Sequence, residues 1–230
     1  MPPAIETRLL SSLEKVFPDE PGRGPERTAG TMLRNEWHSA CLAVRVGGRN
    51  QGRVPLRVSV ASSIAPWVEV RKVGLVPSEL PCYGEPDAGF LRTTPGLYPD
   101  VVHPASNDAS WAIPGRWEAF WIRIRGDGAL PPGTHDLAIR LETPPVGLRS
   151  DGTDDSSATC RTYRVTVRDA LLPPQRFEFT QWLHVDCIAR FHGVEPFSAP
   201  FWPVLERYLR MAADHGATLV LTPILTPPLD

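Results

Sequence analysis

The sequence has no apolar run that approaches the roughly 20 residues needed to span a bilayer, and it has no basic excess. Its 24 lysines and arginines are outnumbered by 26 aspartates and glutamates, so the charge balance favours neither nucleic acid nor an anionic membrane as a partner. The N-terminus lacks a basic segment followed by an apolar one. No secretory signal is therefore predicted, and a cytoplasmic location is expected.

Cysteine is also scarce. The four cysteines are widely spaced and include no CxxC pair: Cys41, Cys82, Cys160 and Cys187. This pattern is typical of reduced, mostly buried thiols.

Proline, in contrast, is abundant, at 26 of 230 residues. Its scattered positions favour many short β elements over a helical bundle. One helix is nevertheless predicted near the N-terminus, because apolar residues recur there at helical spacing: Ile5, Leu9, Leu13 and Val16. Residues 1–30 are therefore expected to form a helical arm followed by an exposed loop.

Residues 31–174 are predicted to form an antiparallel β-sandwich, because short segments of alternating polarity are separated by glycine and proline turns. The predicted strands are 37–46, 54–60, 67–76, 117–125, 135–141 and 159–168. Residues 77–114 are predicted to be irregular. The double proline in Leu172-Pro-Pro174 cannot continue a central strand, so it is the predicted domain boundary.

Residues 175–230 change pattern. A strand at 177–185, a helix at 198–215 with Ser198 as N-cap and Gly216 after its end, and a strand at 217–225 form one parallel βαβ unit. A parallel strand is normally covered on both faces, and this unit cannot supply that cover. The chain is therefore expected to be the front part of a longer protein or to need an unusual partner.

Four segments resemble glycoside hydrolase family 123 and its larger relative, the domain-of-unknown-function family 4091. They are residues 35–39 (Asn-Glu-Trp-His-Ser), 130–134 (Leu-Pro-Pro-Gly-Thr), 179–187 and 221–230. The ending Thr-Pro-Ile-Leu-Thr-Pro-Pro-Leu-Asp is the most specific of these. The resemblance implies a mainly β fold with a C-terminal α/β part, in which a β-sandwich is followed by the first βαβ unit of an incomplete (β/α)8 barrel.

The same resemblance implies an activity for the full-length parent. Family members remove terminal N-acetylgalactosamine from glycans, with the substrate's own acetamido group as nucleophile and an adjacent Asp-Glu pair on a later barrel strand. The only adjacent Asp-Glu here is Asp19-Glu20, far ahead of the predicted barrel, so no catalytic residue is assigned. The chain alone is expected to be inactive, and the expected partners of the parent are a glycan and the remainder of the barrel.

Barrel ligands gather at the C-terminal ends of the strands. The candidate substrate-binding residues there are Trp182, His184, Asp186, Thr226 and Asp230. An indole can stack on a sugar ring, and the polar side chains can bind hydroxyls. The alternative is that Trp182 packs against the barrel wall while the polar groups bind loop backbone.

Two further interpretations are weaker. A metal site at His184, Asp186, Cys187 and His192 matches no known ligand spacing, and the resemblance implies neither metal nor cofactor. The tryptophans of the predicted sandwich, Trp67, Trp111, Trp117 and Trp121, more often fill a core than bind sugar. They leave open a second function, that of a non-catalytic carbohydrate-binding or scaffolding module.

Overall fold

The computed structural model describes residues 4–47, 52–79, 84–85, 88–105, 110–144, 156–174 and 176–222. The chain divides into two compact units, residues 1–172 (the sandwich unit) and residues 173–230 (the C-terminal unit). The division falls at the start of the double proline. None of the helices among the described residues has the length and apolarity required to cross a membrane.

The sandwich unit is built from eleven strands in its described part. They are β1 (Ile5–Ser11), β2 (Ala29–Leu33), β3 (Trp37–Val46), β4 (Val54–Pro55), β5 (Arg57–Ala61), β6 (Val68–Ser78), β7 (Gly96–Pro104), β8 (Trp111–Ala112), β9 (Trp117–Arg125), β10 (Gly133–Thr143) and β11 (Ser157–Arg168). One sheet has the order β1-β3-β9-β6-β7 and a second has the order β2-β11-β10-β5. A two-residue pairing joins β4 to β8. All neighbouring strands are antiparallel except β2 and β11.

The main core lies between the two larger sheets. Alternation places one face of each strand inward, and the inward faces are apolar. Leu42, Val44 and Val46 on β3 and Phe120 and Ile122 on β9 are buried in this core. A smaller cluster on the opposite face of the first sheet contains Cys41, Ala43, Leu10, Val16, Trp117 and Ala119.

The predicted N-terminal helix is wrong. Residues 5–11 form β1, which pairs antiparallel with β3 along its whole length. Leu9 is buried between the sheets while its neighbour Leu10 is buried on the outer face, an arrangement that only a strand allows. Leu13, which would share the helix's apolar face, is 88% exposed. The open edge of β3 supplies hydrogen-bond partners for the backbone of residues 5–11. The spacing of the apolar residues in the sequence gives no sign of these partners.

The segment predicted to be irregular, residues 77–114, also contains structure. β7 lies at the edge of its sheet and pairs with β6, with a register shift between Val73 and Leu75. Most of its side chains are exposed, so it shows no apolar alternation in the sequence. Prolines at positions 99 and 104 fit an edge strand, where a missing amide hydrogen is tolerated.

The C-terminal unit contains β12 (Thr180–Trp182), α1 (Val185–His192), α2 (Phe201–Asp214) and β13 (Leu219–Leu221). β12 and β13 are parallel neighbours, so the predicted parallel βαβ pairing is confirmed. The strands are shorter than predicted, and α1 begins where the first strand was expected to continue. Its buried residues, Val185, Ile188 and Ala189, are spaced by three and four, which is the helical signal in that stretch.

The ends of α2 differ in part from the prediction. Pro200 occupies the N-cap position, and the Ser198 hydroxyl donates to the Glu195 carbonyl oxygen at 2.6 Å instead of capping the helix. Gly216 follows the C-cap residue with a φ of +91°, as expected for a glycine beyond the helix end. Glu206 and Arg210, four residues apart on the exposed side of α2, form a surface ion pair with a 2.6 Å separation.

Candidate functional site

The candidate residues of the C-terminal unit follow β12 directly. Trp182 is the last residue of this strand, His184 is the N-cap residue of α1, and Asp186 lies in the first turn of that helix. Leu183 connects strand and helix, and its amide donates to the Leu221 carbonyl oxygen at 2.9 Å. The three candidates therefore lie within five residues of each other, at the C-terminal end of a parallel strand.

The three candidate residues differ in solvent exposure. Trp182 is 68% exposed and His184 is exposed, whereas Asp186 is partly buried. A carboxylate in the first turn of a helix is favoured by the helix dipole. Within the C-terminal unit, the indole of Trp182 therefore presents a large surface for contact, and Asp186 lies closer to the protein interior.

Thr226 and Asp230, the candidates after the second strand, lie outside the described residues. The structure therefore places three of the five predicted site residues at the end of β12 and leaves the other two unplaced.

The pairing of β12 with β13 depends on a residue that sequence reasoning missed. The Thr218 hydroxyl oxygen accepts a hydrogen bond of 2.8 Å from the Phe179 amide, just before both strands begin. The amides of Thr218 and Leu219 donate back to the Phe179 carbonyl oxygen. A threonine two residues after a helix-ending glycine is the signal that was available, since such side chains often bond to backbone at element ends.

Two of the four residues weighed as a metal site, His192 and Cys187, have environments that the structure describes. His192 Nε2 lies 2.9 Å from the Tyr208 hydroxyl, which joins α1 to α2, and Cys187 is exposed. No group of three or more potential metal ligands is present in the part of the chain that the structure describes.

The Asp19-Glu20 pair lies in the sandwich unit, and both carboxylates form ion pairs with arginines. Arg92 contacts Asp19 at 2.8 Å and Glu20 at 3.1 Å, and Arg23 contacts Glu20 at 2.7 Å. Hydrogen bonding to Arg92 lowers the pKa of Asp19, and hydrogen bonding first to Arg23 and then to Arg92 lowers the pKa of Glu20. A general acid at neutral pH needs a raised pKa, so this pair has the wrong electrostatics for proton donation.

The four sandwich tryptophans have different environments. Trp117 is 8% exposed, and the Arg45 guanidinium carbon lies over it, 4.9 Å from the centre of the Trp117 ring. The Trp67 indole N–H donates to Asp127 at 2.9 Å. Trp121 is partly buried, and Trp111 is 43% exposed. Packing thus accounts for the position of Trp117, and an internal hydrogen bond accounts for that of Trp67.

Comparison with known proteins gives two informative matches. Residues 182–230 match the family model described as glycoside hydrolase 123, catalytic domain. A solved family 123 glycoside hydrolase from Clostridium perfringens, described in connection with glycolipid glycan hydrolysis, aligns with a TM-score of 0.70 and 14% identity. The alignment covers 94% of this chain and 38% of that enzyme, so the chain spans well under half of its relative's length.

A second solved structure, AggA, the major subunit of aggregative adherence fimbriae type I from Escherichia coli, is 14% identical over 72% of this chain and 94% of its own. Its TM-score of 0.31 is too low to bear on the fold. The curated proteins contain no match to this chain. The resemblance to family 123 and the mainly β fold, both inferred from the sequence, are confirmed by the family model and the Clostridium structure.

Proposed function

From its family 123-like fold and domain, we propose that this chain forms the sandwich and the first strands of a glycoside hydrolase barrel. In the full-length parent, the substrate is a glycan ending in N-acetylgalactosamine, and its acetamido group acts as nucleophile. The family-model match over residues 182–230 carries this proposal, because that match falls on the parallel strand–helix–strand unit where a barrel would begin.

The exposed apolar surface of the C-terminal unit supports the remainder of the barrel as its partner. Among the described residues, its core cluster consists of Val185, Ala189 and Phe201. Large side chains remain exposed around this small core: Phe177 76%, Phe191 81%, Phe197 53%, Trp202 53% and Met211 54%. Exposed apolar surface of this extent is typical of an interaction surface. Further strand–helix units packed on both sides would cover it.

The roles of the site residues follow from their places after the strands. Trp182 would stack on a sugar ring, since its indole is largely exposed at the end of β12. His184 would bind sugar hydroxyls, and Asp186 would hold the loop or reach a hydroxyl from the first turn of α1. We assign Thr226 and Asp230 to hydroxyl contacts after the second strand.

Under the same proposal, these 230 residues alone do not hydrolyse the glycan. Substrate-assisted hydrolysis needs a carboxylate that orients the acetamido group and an acid that protonates the leaving oxygen. The one adjacent Asp-Glu in this sequence is in the sandwich unit and is paired with Arg92, with both pKa values lowered.

The decisive experiment compares this chain with the product of its complete parent reading frame, using 4-nitrophenyl N-acetyl-β-galactosaminide. We expect release of nitrophenol by the complete parent and none by the 230-residue chain. In the parent, Trp182→Ala should raise KM more than it lowers kcat, and Trp111→Ala, an exposed tryptophan of the sandwich unit, serves as the control. Turnover by the 230-residue chain would contradict the assignment of the catalytic groups, and an inactive, folded parent would contradict the glycosidase proposal.

A further inference from the structure

A cleft of about 380 Å³ opens at one edge of the sandwich unit. It lies where β1 and β2, the edge strands of the two large sheets, run on the same side of the sandwich. Its polar lining includes Ser12 after β1, Arg27 before β2, His38 and Ser39 on β3, and Tyr163 on β11. We call this space the edge cleft. Its volume falls in the lower part of the range found for small-molecule sites.

The edge cleft contains a buried polar pair. His38 Nε2 and the Tyr163 hydroxyl lie 2.8 Å apart, and Tyr163 is only 4% exposed. Gly30 lets this pair lie close to the β2 backbone. A Cβ atom at position 30 would lie 2.4 Å from the His38 ring and 2.5 Å from the Tyr163 hydroxyl oxygen. The pair can therefore take up this position because residue 30 has no side chain.

Several polar groups around the pair have no protein partner. Within the described residues, the hydroxyls of Ser12 and Ser39 form no hydrogen bond, and Arg27 forms no salt bridge. Arg164 on β11 differs from Arg27, because Asp136 lies 2.7 Å from its guanidinium. Burial raises the pKa of the Tyr163 hydroxyl, and the nearby Arg27 charge partly opposes this change. The edge cleft thus combines free hydroxyls with an unneutralised cation.

Most of its remaining lining is apolar, with Ser11 as the exception. Leu13 is 88% exposed at the mouth, and Trp37 is partly buried on the adjacent strand. Sugar rings combine apolar C–H surfaces with hydroxyls, so they match a lining of serines and an exposed leucine. A neutral sugar would leave Arg27 without a counter-charge, whereas a carboxylate would accept bidentate hydrogen bonds from it.

We propose that the edge cleft binds an acidic monosaccharide unit. Its carboxylate contacts Arg27, and its hydroxyls contact Ser12, Ser39 and the His38–Tyr163 pair. All these residues belong to the sandwich unit, so the proposal does not depend on the barrel chemistry. It gives the sandwich a sugar-binding role separate from the residues that follow β12.

The test is calorimetric titration of the 230-residue chain with sodium glucuronate and, at equal ionic strength, with glucose. We expect glucuronate to bind at least about fivefold more tightly, as a charge-assisted hydrogen bond requires. Arg27→Gln should abolish this preference while leaving glucose binding unchanged, and Ser39→Ala should weaken both sugars. Arg168→Gln, which removes an exposed arginine at the end of β11, is the matched control and should change neither.

Three results would overturn the proposal. One is equal affinity for the two sugars, or no binding of either. Another is an unchanged glucuronate preference in Arg27→Gln. The third is competition by sodium acetate as strong as that by glucuronate, which would show a plain anion site with no recognition of the sugar ring. Circular dichroism of each variant shows whether it remains folded, and Arg27 and Ser39 are not core residues, so folding should be retained.

Discussion

His38 on β3 and Tyr163 on β11 are joined by a 2.8 Å hydrogen bond between opposite sheets of the sandwich. Their rings are also stacked, with centroids 5.8 Å apart. Burial lowers the pKa of His38, and the Glu36 carboxylate partly opposes this change. The pair is therefore a polar connection within an otherwise apolar interface, and its protonation is coupled to folding.

The stability of the sandwich unit should fall as His38 becomes protonated. Because the folded-state pKa lies below the unfolded value of about 6.5, the unfolded chain binds the proton more tightly. The stabilisation is complete above about pH 6.5 and is lost as the pH falls toward the lowered pKa. Urea unfolding between pH 5 and 7.5 should show wild type losing stability relative to His38→Gln at the acid end.

His184→Gln is the control for this experiment, since His184 is exposed in the other unit. The difference in free energy of unfolding between His184→Gln and wild type should not vary with pH in the same way. A constant difference between wild type and His38→Gln across the range would contradict the coupling. Tyr163→Phe should retain most of the pH dependence, because burial contributes more than any other cause to the shift of His38.

Gly30→Ala should destabilise the sandwich unit by about 1–3 kcal/mol, the usual cost of overpacking. The added methyl group would lie 2.4 Å from the His38 ring, so one or both rings would have to move. Gly96→Ala on β7 is the matched control, because a Cβ there meets nothing within 4 Å. Denaturant midpoints of the two variants test this, and equal midpoints would show that the two rings move apart at no cost.

Cys41 should resist thiol reagents in the folded protein. It is buried on the outer face of its sheet, and burial raises the pKa of its thiol to about 12, so very little reactive thiolate forms at neutral pH. Cys160 and Cys187 are exposed and should react readily. Labelling with iodoacetamide, followed by mass spectrometry of each peptide, measures the rates separately. Labelling of Cys41 at the rate of Cys160 without denaturant would contradict its burial.

Phe201→Ala should unfold the C-terminal unit, because Phe201 is fully buried in a three-residue core cluster. The expected cost is about 3–5 kcal/mol, which a small unit cannot absorb. Trp202→Ala, one position along and 53% exposed, should cost much less. Amide hydrogen exchange in α2 tests both variants. Full protection of α2 in Phe201→Ala would show that its packing does not depend on this ring.

Much of the fold could be predicted from local patterns. β3 and β9 have the predicted bounds, because a half-buried strand leaves a period of two in the sequence. β7 was missed because its exposed side chains carry no such period. α1 was missed because it is only eight residues long and the preceding apolar residues continue a strand pattern into it.

The placement of Trp182, His184 and Asp186 after β12 could be predicted, because the strand itself was visible in the sequence. Their role as ligand-binding residues stays a prediction. The edge cleft could not be predicted. His38 and Tyr163 are 125 residues apart in sequence, and Gly30 reads as an ordinary loop glycine. Only the packing of two sheets brings these three residues together.

The sequence by itself determined the alternating strands, the boundary at the double proline and the parallel strand–helix–strand pattern, because each depends on neighbours in the chain. The tertiary structure decided that residues 5–11 form a strand, since the open edge of β3 supplies their hydrogen bonds. It also decided that a histidine and a tyrosine meet beside a glycine, because that contact depends on how two separate sheets are packed.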